Sequence, residues 1–158
     1  MAKRYLRGKI IIAIIFLLIC ASGFNGYGEE KRVLIVSQSS EFKESVVAFL
    51  QEEMNESGIA FTVKGISALG NVREGEWDAI VILHAVKMGK INKHVRRYLD
   101  KIDDFNRVIV LTTYGTKDPV PSKYGINSIS AASKKEQVKT LTSDIKNRLQ
   151  EILTGRSR

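Results

Sequence analysis

Arg32-Val33-Leu34-Ile35-Val36-Ser37 is an apolar, β-branched run that does not alternate, which predicts a strand buried on both faces. From Glu41 the period changes. Phe42, Val46, Phe49, Leu50 and Met54 recur at helical spacing, Ser40 stands where an N-cap belongs, and Gly58 follows at the expected stop. A second strand is predicted over Ala60 to Lys64 and a third over Asp78-Ala79-Ile80-Val81-Ile82-Leu83. Between them, Ile66 to Glu76 is a glycine-bearing connection with room for a short helix. Val95, Tyr98, Leu99 and Ile102 mark a helix of about three turns. Val108 to Leu111 is a fourth buried strand and Ile126 to Ser130 a fifth. The closing helix is expected to start at a capping box, Ser133 with Glu136, and to bury Val138, Leu141, Ile145, Leu149 and Ile152.

Strands alternating with helices, three of the strands too apolar to face water, predict an α/β fold with a five-stranded parallel sheet, doubly wound in the order 2-1-3-4-5. The first and last helices then share one face. The other face is under-supplied, because Ile66 to Glu76 is short and Thr113 to Gly125 contains Pro119 and Pro121. Packed loops or a partner subunit must complete it.

Before this domain, Met1 to Lys9 is basic and Ile10 to Ala21 is an unbroken apolar run of twelve residues, followed by small residues where a signal peptidase could cut. Twelve residues span about 18 Å as a helix, short of the roughly 30 Å hydrocarbon core. Residues 1–28 are therefore read as an export signal, with an uncleaved membrane anchor as the alternative, and residues 29–158 as the domain. The expected location is periplasmic or otherwise extracytoplasmic. Cys20 lies within the run behind Ile19, where a lipidated cysteine would follow a small residue. No cysteine remains after residue 28, which excludes disulfides and thiolate-ligated zinc from the domain.

The 158 residues are 44% hydrophobic and 27% charged, values of an ordinary globular chain. Lysine and arginine number 25 against 17 acids, a formal charge of +8, but Lys3, Arg4, Arg7 and Lys9 supply half of that excess within the leader. The charge therefore does not argue for nucleic acid. Lys87, Lys90, Lys93, Arg96, Arg97 and Lys101 concentrate six basic residues within fifteen, with Lys93, Arg97 and Lys101 on one predicted stripe opposite Val95 and Tyr98. Aromatic residues suited to stacking on nucleotides are not interleaved. The segment is read as a solvated face, or as a docking surface for anionic lipid or an acidic, membrane-associated or redox protein partner.

Ligands of doubly wound sheets bind beyond the carboxyl ends of the strands, which selects Ser37 to Glu44, His84 to Asn92 and Thr112 to Tyr124. His84 closes the third strand and is placed either to meet a ligand oxygen or to cap the strand. A receiver domain would need an aspartate there. No P-loop, glycine-flanked serine or paired metal-ligand spacing occurs, so no catalytic residue and no metal ligand is assigned.

Val86-Lys87-Met88-Gly89-Lys90-Ile91-Asn92-Lys93-His94-Val95-Arg96-Arg97-Tyr98-Leu99 resembles the flavin-ring loop and following helix of the flavodoxin-like family, including menaquinone-dependent protoporphyrinogen oxidases. The resemblance extends by topology over residues 32 to 153. It implies a flavodoxin-like fold and an FMN site formed by Ser37, Ser39, Ser40, His84, Val86, Lys87, Met88, Gly89, Thr112, Thr113, Tyr114 and Gly115. Members hold the FMN phosphate in a Ser/Thr-x-Thr-Gly-x-Thr turn. Here the aligned residues are Ser39-Ser40-Glu41-Phe42-Lys43-Glu44, with acids replacing two hydroxyls and Phe42 the glycine. Asn127-Ser128-Ile129-Ser130-Ala131-Ala132-Ser133 also resembles, with Asn127 and Ala131 as departures, the pattern that carries covalent FMN on exported proteins. The sequence thus supports two readings: an exported binding or accessory module with a degraded FMN phosphate site, or an FMN-binding redox protein with an altered one. Were it an enzyme, the resemblance implies a flavin-dependent oxidoreductase.

Overall fold

The computed structural model describes residues 30–55, 57–114 and 127–155. The expected leader over 1–28, Gly115, Pro119 and Pro121 lie outside the described residues. Five parallel strands, β1 (Lys31–Ser37), β2 (Ile59–Gly65), β3 (Ala79–Ala85), β4 (Val108–Tyr114) and β5 (Asn127–Ala132), form one sheet in the order β2-β1-β3-β4-β5. Among the described residues three α-helices accompany them: α1 (Glu41–Glu53), α2 (Lys93–Leu99) and α3 (Val138–Leu153). No helix among the described residues is long and apolar enough to cross a membrane.

The unbroken apolar runs are explained by burial on both sides. In β1, Val33 and Ile35 join one core with α1 and α3, while Leu34 and Val36 join a second on the opposite face. In β3, Val81 and Leu83 face the first core and Ile80 and Ile82 the second. The first core is closed by Phe42, Val46, Leu50, Leu141, Ile145 and Leu149. Salt bridges from Lys146 to Glu53 at 3.2 Å and from Lys135 to Glu41 at 2.7 Å link α3 and its approach to α1.

The second face is covered by α2 and by 3₁₀ turns at Ile66–Asn71, Glu74–Glu76 and Phe105–Arg107. Leu69, Val95, Tyr98 and Leu99 are buried there, with Ile66, Val72, Trp77, Ile91, Ile102 and Phe105 packed around them. Short turns with well-placed apolar anchors thus do the work of a long helix, and they leave β4's Val108 and Val110 buried.

Three local expectations are corrected. The helix at 93 runs only to Leu99. Both the Lys101 and Ile102 amides bond to the Tyr98 carbonyl, and Asp103 and Asp104 follow where the negative end of a helix dipole disfavours acids. Asp104 instead accepts from the Asn106 amide at 3.0 Å. Ser133 does not cap α3: it is exposed, and a 3₁₀ turn at Lys135–Gln137 precedes Val138, so the cap position falls on Gln137 without a side-chain hydrogen bond. Gly58 has φ +66° but lies beyond the α1 C-cap, Met54, and its carbonyl accepts from the Lys31 amide.

Candidate functional site

The carboxyl ends of β1, β3 and β4 lie side by side, with Ser37 opposite Leu83, His84 opposite Thr112 and Ala85 opposite Thr113. This register brings Ser37, Ser39, Ser40, His84, Val86, Thr112, Thr113 and Tyr114 to the carboxyl end of the sheet. Gly115 lies outside the described residues.

The first loop is tied down by its own donors and acceptors. The Gln38 amide donates to the Leu83 carbonyl at 2.9 Å, and Gln38 Oε1 accepts from the Ala85 amide at 3.1 Å. The side chain of Gln38 thereby bridges the ends of β1 and β3. Ser39 Oγ donates to Glu44 Oε1 at 2.9 Å, and Ser40 Oγ accepts from the Lys43 amide at 3.3 Å as the N-cap of α1. Phe42 is buried in the first core. The two acids expected at the helix mouth are exposed and engaged: Glu44 by Ser39, and Glu41 by Lys135, which holds the Glu41 carboxyl below its usual range.

Lys43 lies between those two acids in sequence. The structure instead buries it, at 3% exposure, with Nζ 3.3 Å from Ser40 Oγ. Burial, and then the like charge of Lys87, push its pKa down. Gln38 and Lys43 are the site residues that the sequence reading missed. Lys43 sits directly after a buried helix position and the glutamine directly follows an apolar strand, the one local signal each carries.

His84 does not end its strand but sits one residue inside it, 1% exposed. Its Nε2 is 3.0 Å from Thr112 Oγ1, and Thr113 Oγ1 donates to the His84 carbonyl at 3.2 Å. Nδ1 is buried without a hydrogen-bond partner among the described residues. Burial lowers the imidazole pKa to about 4; the Ala85 backbone opposes this and the Lys43 charge adds to it. The ring is neutral at neutral pH, suited to hydrogen bonding.

Beyond β3 the Val86 amide bonds to the Thr113 carbonyl at 2.8 Å, and Lys87 to Lys90 forms a two-residue turn with reciprocal backbone bonds of 3.2 and 2.9 Å. Met88 and Gly89 both have positive φ, 52° and 69°, as a type I′ turn demands. Met88 at the tip is 99% exposed. Asn92 then caps α2, accepting from the His94 amide at 2.9 Å.

Lys87, Lys90, Lys93, Arg96, Arg97 and Lys101 are all exposed. Lys93, Arg97 and Lys101 do not form the single helical stripe expected, because α2 ends before Lys101. Arg97 and Lys101 instead share with Leu69, Gly70, His94 and Tyr98 the lining of a groove of about 140 Å³. Tyr98 Oη is buried there without a hydrogen-bond partner among the described residues. Burial and the nearby Glu74 raise its pKa.

No family model and no curated protein matches this chain. Solved structures do. A flavodoxin from the domain Archaea superposes with a TM-score of 0.55 at 9% identity, covering 77% of this chain and 98% of that one. Flavodoxin 2 from Bacillus cereus gives 0.54 at 14% identity, covering 76% and 98%. A diflavin flavoprotein A3 from Nostoc sp. gives 0.54 at 15% identity, covering 79% and 94%. At such identities the likeness is one of fold, and it agrees with the strand order: the chain has a flavodoxin-like α/β fold.

Proposed function

We propose that this chain is an exported, flavodoxin-like binding or accessory module in which the turn that would enclose an FMN phosphate is closed on itself. The observation that carries this reading is the Ser37–Glu44 segment. Its serines are spent on Glu44 and on capping α1, Gln38 spans to Ala85, and Phe42 is committed to the core. A phosphate turn needs backbone free to approach the ligand and amides free to donate. The basic, apolar and small-residue succession of residues 1–28 supports delivery across a membrane. The six exposed cations between Lys87 and Lys101 support an acidic or anionic-lipid surface as the partner.

Titration of FMN into the full chain, followed by flavin fluorescence, tests the reading. Absence of tight, stoichiometric binding is expected. Tight binding would make electron transfer the function instead, with flavin held by Ser40, the Val86–Lys90 turn and the end of β4.

A further inference from the structure

The groove at Tyr98 lies apart from the strand-end loops. It is lined by Leu69 and Gly70 of the 3₁₀ turn at Ile66–Asn71, by His94, Arg97 and Tyr98 of α2, and by Lys101 just beyond that helix. Its volume is about 140 Å³. A cavity of about 150 Å³ holds one benzene ring, so this groove has room for a single ring. Leu69, at 2% exposure, and the Tyr98 ring supply apolar surface for such a body, and Gly70 leaves open space where a side chain would stand.

The polar groups around the groove are of two kinds. Arg97 and Lys101 are exposed and bring two positive charges to its solvent side, with His94 half-buried beside them. Tyr98 is 4% exposed, and its Oη is buried without a hydrogen-bond partner among the described residues. Glu74 Oε2 is a second such atom. Burial, and then the nearby Glu74 carboxylate, hold the phenol protonated. Buried polar atoms left unpaired forfeit the hydrogen bonds that water would supply. Both of these oxygens can accept, and the hydroxyl can also donate.

We propose that this groove binds a small, ring-sized carboxylate with a hydroxyl at its far end, of the phenolic acid class. Its carboxylate pairs with Arg97 and Lys101, its ring packs on Leu69 and Tyr98, and its hydroxyl meets Tyr98 Oη. A simple anion would satisfy the exposed cations and leave the buried phenol unmet, and a neutral phenol would do the reverse. Glu74 sets the orientation, because a carboxylate entering first would approach a like charge whereas a hydroxyl can donate there. The groove belongs to the second face of the sheet, with α2 and its neighbouring turns, so the inference does not depend on what the Ser37–Glu44 turn binds.

The test is titration of the full chain at constant ionic strength with para-hydroxybenzoate, benzoate and phenol, followed by calorimetry and by the ring resonances of labelled tyrosine. Saturable one-site binding of para-hydroxybenzoate is expected, with the Tyr98 ring signals shifted. Benzoate and phenol should each bind roughly fivefold more weakly or less well still. Tyr98→Phe should reduce para-hydroxybenzoate to the affinity of benzoate, and Arg97→Gln should weaken both carboxylates roughly tenfold while leaving phenol unchanged. Because the Tyr98 hydroxyl has no partner to lose among the described residues, Tyr98→Phe should melt no lower than the native chain, which separates lost binding from lost folding. Lys93→Gln, at an exposed cation outside the groove, should leave all three affinities within about twofold. Absence of saturable para-hydroxybenzoate binding, equal affinity for it and for benzoate, or a preference that survives in Tyr98→Phe would each overturn the inference.

Discussion

His84 Nε2 and Thr112 Oγ1 meet at 3.0 Å across the β3–β4 pair, a contact set by strand register between residues 28 apart in sequence. It fixes one nitrogen of a buried, neutral imidazole, while Nδ1 has no hydrogen-bond partner among the described residues.

That burial has a pH consequence. Unfolded His84 titrates near 6.5 and the folded ring near 4, so on acidification the unfolded state takes up the proton first. The stability contributed by the neutral ring is complete above about pH 6.5 and is lost as pH falls toward 4, amounting to about 3 kcal/mol. Urea unfolding at a series of pH values should show this loss in the native chain. His84→Gln should flatten it. An unchanged slope in that variant would assign the acid sensitivity to other groups.

Leu69 is the anchor through which a 3₁₀ turn seals the second face of the sheet, at 2% exposure. Leu69→Ala should cost about 2–4 kcal/mol in denaturant unfolding, the range of a buried leucine deletion. A loss below about 1 kcal/mol would mean that this turn is a loose cover and that the face is closed by something else.

Gly89 holds φ +69° at the second central position of the Lys87–Lys90 turn, with open space around its missing Cβ. Gly89→Ala should therefore destabilise through backbone strain alone, by about 1 kcal/mol. Because the turn is exposed, local amide exchange at Lys87 and Lys90 is the sensitive readout. Exchange unaltered by the substitution would contradict the turn assignment.

Charge reversal at Lys93, Arg96 and Arg97 should leave thermal stability nearly unchanged, since all three are exposed, and shifts within about 0.5 kcal/mol are usual at such positions. Co-sedimentation with vesicles containing anionic lipid should fall, and more steeply at low salt. Sedimentation equal to that of the native chain would remove this surface as the docking site.

The elements that were legible in sequence are those whose pattern arises locally. β1, β3 and β4 lack alternation because both of their faces are buried, and α1 declares itself through its period and its Ser40 cap. The end of α2 and the start of α3 were not legible. Ile102 keeps helical spacing from Tyr98 although it lies beyond the last helical residue, and the Ser133–Glu136 spacing imitates a capping box while a 3₁₀ turn shifts the true start. The strand-end loops could be located from topology, but not what Lys43 does within them. A lysine flanked by two exposed glutamates two residues and one residue away reads as solvated. Its burial depends on the packing of α1 against the strand ends, which no spacing reports.

The closed turn at Ser37–Glu44 is tested most directly by comparing the affinities of FMN and riboflavin for the full chain, because their ratio isolates what the phosphate contributes. The account predicts that neither binds tightly and that FMN exceeds riboflavin by no more than about tenfold, the contribution of a single charge-assisted contact. A preference of roughly a thousandfold or more, with FMN bound stoichiometrically, would show that the turn opens around phosphate and would contradict it.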